Sequence, residues 1–179
     1  LHGSCLAASS VAGAMAAGLA LSLVIGLATG FLVANMNVHP ILVTLGTMSV
    51  IDGISIWLTR GKVIAGLPES FQWFGNGTVL GIPVPFLILL VVAAAIGIVL
   101  TRTAFGISAY MIGSNLEATR YSGVNTKRVL IGVYTLSSVL CFVAACLMMA
   151  RFNSASPAYA QSYLLITILA AVLGGVDPF

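Results

Sequence analysis

The sequence predicts an all-α fold, a polytopic bundle of transmembrane helices. Hydrophobic residues make up 60% of the chain and charged residues only 6%, whereas roughly 25% of the residues in a soluble domain are charged. Long apolar stretches alternate with polar ones along the sequence. A soluble protein of this composition would lack the polar surface that water requires, but lipid can surround helices whose backbone groups are hydrogen-bonded internally.

The apolar stretches set the number of spans. A helix needs about 20 apolar residues to cross a bilayer. Four stretches are long enough and one is too short, which predicts about four complete spans plus a partial fifth. They cover residues 11–34, 41–59, 83 or 85 to 101, 129–150 and 163–175. Because residue 1 is not a methionine and the fifth stretch is short, we expect residues 1–179 to form a single membrane domain truncated at both ends.

Small residues recur at every fourth position of the first stretch. They are Ala14, Gly18, Ser22, Gly26 and Gly30. Four-residue spacing places them on one face of a helix, and a face with little side chain lets a neighbouring helix approach closely in lipid. The alternative is chance glycine content, but the regular period favours helix packing through Gly18, Ser22, Gly26 and Gly30.

The second stretch carries the polar side chains that could line a path through the membrane. They are Thr44, Thr47, Ser49 and Asp52. An ionisable residue at membrane depth usually faces a bundle interior or a water-filled cavity. Two alternatives stay open: the hydroxyls hydrogen-bond to their own helix backbone, and Asp52 lies near the membrane–water interface because Arg60 follows about two turns later.

Residues 60–83 form a polar loop with amphipathic character. A short helix is expected after Pro68, lying along the membrane surface, because aromatic side chains favour the membrane–water boundary. Its apolar members are Leu67, Phe71, Trp73 and Phe74.

Alternating spans place this loop and the segment after Arg151 on one side of the membrane. Two further segments then lie on the other side of the membrane: the turn at residues 35–40 and the polar stretch 102–128. The turn is expected because Pro40 disfavours helix at His39. Basic residues number four on the second side and three on the first, which slightly favours a cytoplasmic 102–128 stretch.

Residues 113–123 predict a short, solvent-exposed helix with a defined start and stop. Ser114 and Glu117 have the spacing of a capping box, Glu117 and Arg120 lie on one helix face, and Gly123 suits a left-handed stop. From the residues alone this is either an ordinary connecting helix or a helix that a soluble partner grips. The candidate contact residues are Gly113, Ser114, Asn115, Glu117, Ala118, Arg120, Ser122 and Gly123.

Several motifs, in order, carry a resemblance to a known family. They are ILVTLGTMS at 41–49, LGIPVP at 80–85, TAFG at 103–106, IGSNLEATRYSGV at 112–124 and AAVLGG at 170–175. The chain resembles the permease subunits of bacterial ABC importers for ribose, xylose and related monosaccharides, a family that includes branched-chain amino-acid permeases. Asp52 departs from it, because many sugar permeases have a basic residue there.

The resemblance implies a type II ABC importer-like bundle in the bacterial inner membrane. Residues 113–124 would be the cytoplasmic coupling helix that docks on a separate ATPase subunit. Residues 60–83 and 152–163 would face the periplasm and a sugar-binding protein. A second permease copy would complete the pore, in a homodimer or a heterodimer.

Other functions find little support in the sequence. There is no Gly-Lys-Ser/Thr phosphate loop and no catalytic constellation, so we expect no enzyme activity, cofactor or metal. Seven scattered basic residues form no nucleic-acid stripe. The competing hypothesis is a secondary transporter or channel that works without ATP. It predicts ionisable residues in several spans, and only Asp52 qualifies. A membrane scaffold is a third possibility.

Overall fold

The computed structural model describes residues 2–35, 39–66, 68–79, 81–156 and 159–175. In that part the helices are α1 (His2–Asn35), α2 (Pro40–Thr59), α3 (Glu69–Asn76), α4 (Val84–Arg102), α5 (Ala104–Ser114), α6 (Leu116–Tyr121), α7 (Thr126–Phe152) and α8 (Tyr159–Leu173). The strands are β1 (Ile64–Ala65), β2 (Thr78–Val79), β3 (Ile82–Pro83) and β4 (Ser154–Ala155). Residues 36–38 of the predicted turn at 35–40, together with Leu67 and Leu80, fall outside the described residues.

Four helices are long and apolar enough to cross a membrane. They are Gly13–Asn35, Pro40–Thr59, Val84–Arg102 and Thr126–Phe152. The 15 residues of α8 cover only about 22 Å at 1.5 Å per residue, less than the roughly 30 Å of a hydrocarbon core. The predicted helical bundle, with four complete spans and a partial fifth, is therefore confirmed.

Helix α7 is the centre of the packing. Helix α1 lies along it, α3 packs near its end, and α5 and α6 pack near its start, while α4 contacts α3 and α5. Helix α2 has no buried residue, and residues 161–173 of α8 are all exposed. The core is thus the α1–α7 pair and the segments that pack on its two ends.

The small-residue face of α1 meets α7 directly. A β-carbon at Gly26 would lie 2.7 Å from the β-carbon of Ser138, and one at Gly30 would lie 2.9 Å from the α-carbon of Ile131. Both distances are shorter than carbon atoms tolerate, so only glycine allows this approach. The Ser138 hydroxyl donates a hydrogen bond to the Ser22 carbonyl. Gly18, Ser22, Gly26 and Gly30 all lie in this α1–α7 contact.

Two groups of connecting segments lie at opposite ends of α7. At its start, Lys127 Nζ donates to Asn35 Oδ1 over 2.8 Å, which ties the end of α1 to this region. At its end, β1 pairs antiparallel with β4, with Ile64 opposite Ala155. The 27 residues of α7 separate the two ends by about 40 Å. This grouping agrees with the alternation of sides that the sequence predicts.

The short helix expected after Pro68 is confirmed as α3. The Pro68 carbonyl accepts from the Phe71 N–H at 2.9 Å and from the Gln72 N–H at 3.2 Å. Phe71 is buried, whereas the rings of Trp73 and Phe74 are exposed and meet edge to face with centroids 5.7 Å apart. The helix therefore covers the end of the bundle with one aromatic side chain and presents two outward.

The stretch 102–128 holds more helix than the sequence predicted. An apolar helix, α5, precedes the short helix, and the sequence pattern did not indicate it. The backbone is extended at Thr103, with φ −111° and ψ 152°, and the Thr103 hydroxyl accepts from the Gly106 N–H at 3.3 Å. Thr103 thus ends α4 and caps α5. Gly106 is buried against the backbone of Leu100, which lets α5 fold back onto α4.

Candidate functional site

Helix α6 begins at a cap that differs from the predicted one. Asn115 is extended, with φ −160° and ψ 107°, and its Oδ1 accepts from the Ala118 N–H at 3.0 Å. Ser114 belongs to α5 and donates to the Met111 carbonyl at 2.9 Å. Glu117 is the second residue of α6, too close to the start for the third-position role of a capping box. The predicted Ser114–Glu117 capping box is therefore wrong, because the extended backbone at Asn115 shifts the helix start by one residue.

The end of α6 follows the predicted pattern. The Ser122 N–H donates to the Ala118 carbonyl at 3.1 Å, and the Gly123 N–H donates to the Arg120 carbonyl at 3.2 Å. Gly123 has φ +79°, the left-handed conformation that glycine adopts without steric cost. The predicted glycine stop is confirmed, and α6 is fixed at both ends by local hydrogen bonds.

A single side chain anchors α6 to the bundle. Thr119 is only 2% exposed, and its hydroxyl donates to the Asn115 carbonyl at 2.8 Å. The other five residues of α6 are exposed, with Tyr121 at 89%. In the described part of the chain, Glu117 and Arg120 form no ion pair. The helix thus presents a carboxylate, a guanidinium and a phenol to solvent from a fixed backbone.

The predicted path residues in α2 have their hydroxyls engaged locally. Thr44 donates to the Pro40 and Ile41 carbonyls at 3.1 and 3.0 Å. Thr47 donates to Val43 at 2.9 Å and Ser49 to Leu45 at 3.1 Å. The alternative that these hydroxyls bond to their own backbone is confirmed. Each oxygen keeps a lone pair that a solute can use, but the structure does not join the three into a cluster.

Asp52 has a partner that lies far away in sequence. Its Oδ2 accepts from Gln161 Nε2 at 3.4 Å, which connects α2 to α8. Within the described residues this long hydrogen bond links the side chains of α2, which has no buried residue, and α8. The sequence pattern placed Asp52 as a path candidate but contained no signal for Gln161.

A small cavity lies at the end of the bundle opposite α6. It has a volume of about 280 Å³ and separates the end of α2 from α7, with Thr59, Met148 and Tyr159 among its lining. The Tyr159 hydroxyl is 2.9 Å from Ser154 Oγ. Ser154 and Tyr159 were not predicted as candidate residues, because an isolated serine and an isolated tyrosine after a span have no recognisable spacing.

The part of the chain that the structure describes contains no candidate metal-binding site. No group of three or more His, Cys, Asp or Glu side chains gathers there. Cys141 and Cys146 are separate free thiols on α7, exposed and half-buried respectively.

Comparison with protein families matches nearly the whole chain. Residues 3–179 match the family described as the permease component of the branched-chain amino acid transport system. The chain belongs to this permease family. The predicted resemblance is thereby confirmed, and the bundle of apolar membrane-crossing helices is consistent with a permease.

The most similar permeases include several named for sugar import. The chain is 38% identical to the ribose import permease protein RbsC of Escherichia coli over 168 residues, which cover 92% of this chain and 52% of that permease. It is 37% identical to RbsC of Bacillus subtilis over 83% of this chain and 47% of that permease. The L-arabinose transport system permease protein AraH of E. coli is 34% identical over 83% of this chain.

The alignment with these relatives covers only part of their length. The chain spans about half the length of the permeases it matches. No solved structure matches it significantly. Family membership and the four membrane-crossing helices place the chain in the inner, or plasma, membrane as a multi-pass protein.

Proposed function

We propose that this chain is part of the transmembrane permease subunit of an ATP-binding-cassette importer for a sugar or a similar hydroxylated solute. The relatives named for ribose and L-arabinose import support the solute class. ATP hydrolysis then belongs to a separate ATPase subunit, because this sequence has no Gly-Lys-Ser/Thr phosphate loop. A periplasmic sugar-binding protein delivers the solute, and a second permease copy completes the pore.

The observation that carries the proposal is the construction of α6. A helix of six residues is too short to be stable alone in water. This one is held by the Asn115 cap, by Gly123 and by the buried Thr119, while the rest of its surface is exposed. A polar surface element of fixed backbone between the end of α4 and the start of α7 suits a contact with a soluble protein.

The packing of α6 suits the transmission of movement. It contacts α5 and the start of α7, and α7 in turn packs along α1. When ATP draws two ATPase subunits together, a displacement of α6 passes directly to the central helix pair. Residues 113–124 act as the cytoplasmic coupling segment, so the α3 end of the bundle, with residues 60–83, faces the periplasm and the sugar-binding protein.

The path for the solute lies beside α2 in this proposal. Thr44, Thr47, Ser49 and Asp52 supply oxygen acceptors along this helix, and such groups match the hydroxyls of a sugar. The cavity of about 280 Å³ between α2 and α7 lies at the periplasmic end, next to Thr59 and Tyr159. A hydroxylated solute would enter there and pass along α2 as the helices move.

Binding of the ATPase subunit tests the coupling role. The full-length permease carrying Tyr121→Ala or Glu117→Ala is compared with the unchanged protein in a pull-down with its ATPase subunit. We expect Tyr121→Ala to weaken binding by tenfold or more, because an exposed aromatic side chain at the centre of an interface typically contributes about 2 kcal/mol.

Tyr163→Ala is the matched control. It removes the same side chain from α8, where Tyr163 is 43% exposed, outside the coupling segment. We expect it to leave ATPase binding unchanged. Equal binding by the Tyr121 and Tyr163 variants, with Glu117→Ala also without effect, would show that α6 is only a connecting helix.

A further inference from the structure

A cleft with basic lining lies on the inner side of α6. It has a volume of about 840 Å³ and is enclosed by the end of α1, the start of α2, α5, α6 and the start of α7. His39, Arg120 and Lys127 line it, and no aspartate or glutamate does. The cleft is therefore a concave site with positive charge.

Its charges are available for a ligand. The Arg120 guanidinium has no hydrogen-bond or ion-pair partner among the described residues. Lys127 Nζ donates one hydrogen bond, to Asn35 Oδ1 at 2.8 Å, and an ammonium group has three N–H donors. The start of α7 adds the positive end of its helix dipole. A guanidinium and an ammonium across one cleft are suited to a phosphate group.

The level of the cleft in the membrane indicates where that phosphate comes from. The spans α1, α2 and α7 end or begin at its walls, at Asn35, Pro40 and Thr126, which is the depth of the lipid headgroups. Val33, Ile112 and Leu130 also line it. These apolar side chains can pack against the first carbons of acyl chains, whereas a free phosphate ion offers them no apolar contact.

We propose that this cleft binds the headgroup of an anionic phospholipid, with Arg120 and Lys127 contacting its phosphate. Basic pockets between transmembrane helices bind such headgroups in general. A lipid held there fills the space between α6 and the ends of α1 and α2. The inference does not rest on the coupling role, because the ligand is a phospholipid of the surrounding bilayer and not a partner protein.

Native mass spectrometry of the full-length permease tests this proposal without any partner protein. The detergent-solubilised protein is given equal amounts of phosphatidylglycerol and phosphatidylcholine with identical acyl chains. We expect preferential retention of phosphatidylglycerol. Arg120→Gln and Lys127→Gln should each reduce that preference about fivefold, which corresponds to about 1 kcal/mol per basic residue near the headgroups.

Arg128→Gln is the matched control. Arg128 is the next residue of α7, but it lines a different cavity with Leu27 and Phe105, so its loss should leave the preference unchanged. The proposal fails if the two lipids are retained equally or if all three variants behave alike. It also fails if inorganic phosphate displaces phosphatidylglycerol, which would show a free-anion site. Weaker ATPase binding in the Arg120 and Lys127 variants with unchanged lipid retention would assign the cleft to the protein partner instead.

Discussion

Asn115 determines where one helix ends and the next begins. Its extended backbone breaks the chain between α5 and α6, and its side chain then satisfies the Ala118 N–H. Ser114 looked equally suitable in the sequence, because serine and asparagine are both good helix caps. The choice between them depends on how far α5 continues, and that is decided by the packing of α5 against α4 and α7.

Replacing Asn115 by alanine should loosen the start of α6. Loss of a cap costs about 1 kcal/mol, so the amide of Ala118 in the full-length protein should exchange hydrogen about fivefold faster. Ser114→Ala removes only an exposed hydroxyl that bonds to the Met111 carbonyl and should leave that rate unchanged. Hydrogen exchange read by mass spectrometry measures both variants. Faster exchange in Ser114→Ala but not in Asn115→Ala would contradict this assignment and show that Ser114 caps the helix, as the sequence predicted.

The α1–α7 pair is the element on which the rest of the bundle is assembled. The two helices can pack closely because Gly26 and Gly30 have no side chain, so the backbone of α7 lies directly against α1. In lipid no hydrophobic effect drives two apolar helices together, so close packing and interhelical hydrogen bonds such as Ser138 to Ser22 must hold the pair. The four-residue period made this face predictable, whereas nothing in the sequence indicated that α7 was its partner.

Gly26→Ala should destabilise the membrane domain. The added methyl group would lie 2.7 Å from Ser138 and 2.9 Å from the backbone of Thr135, which forces the helices apart at a cost of about 1–3 kcal/mol. Unfolding of the full-length protein by titration with SDS in mixed micelles measures this loss.

Gly13→Ala serves as the control in the same helix. A β-carbon at Gly13 has no neighbour within 4 Å, so this variant should unfold like the unchanged protein. Identical unfolding curves for the Gly13 and Gly26 variants would show that the small-residue face does not depend on close contact.

For the whole molecule, the predictable features were those that composition and short-range spacing determine. Four spans followed from stretch length. The start of α3 after Pro68 and the stop of α6 at Gly123 followed from the backbone preferences of proline and glycine. Helix α5 was missed because this apolar helix has only 11 residues, too few to span a membrane, and lies between polar flanks. The Asp52–Gln161 bond joins residues far apart in sequence. The cleft likewise lies between residues 33–40 and residues 112–130, so only the packed fold could reveal either feature.

Solute uptake into proteoliposomes most directly tests the claim that this permease belongs to an ATP-driven importer. The full-length permease is reconstituted with its ATPase subunit and its binding protein, and uptake of a labelled sugar is measured with ATP, without ATP, and with an imposed proton or sodium gradient. We expect uptake only when ATP and the ATPase subunit are both present, and strong loss of that uptake with Tyr121→Ala. Uptake driven by an ion gradient in the absence of ATP would contradict this expectation and identify a secondary transporter.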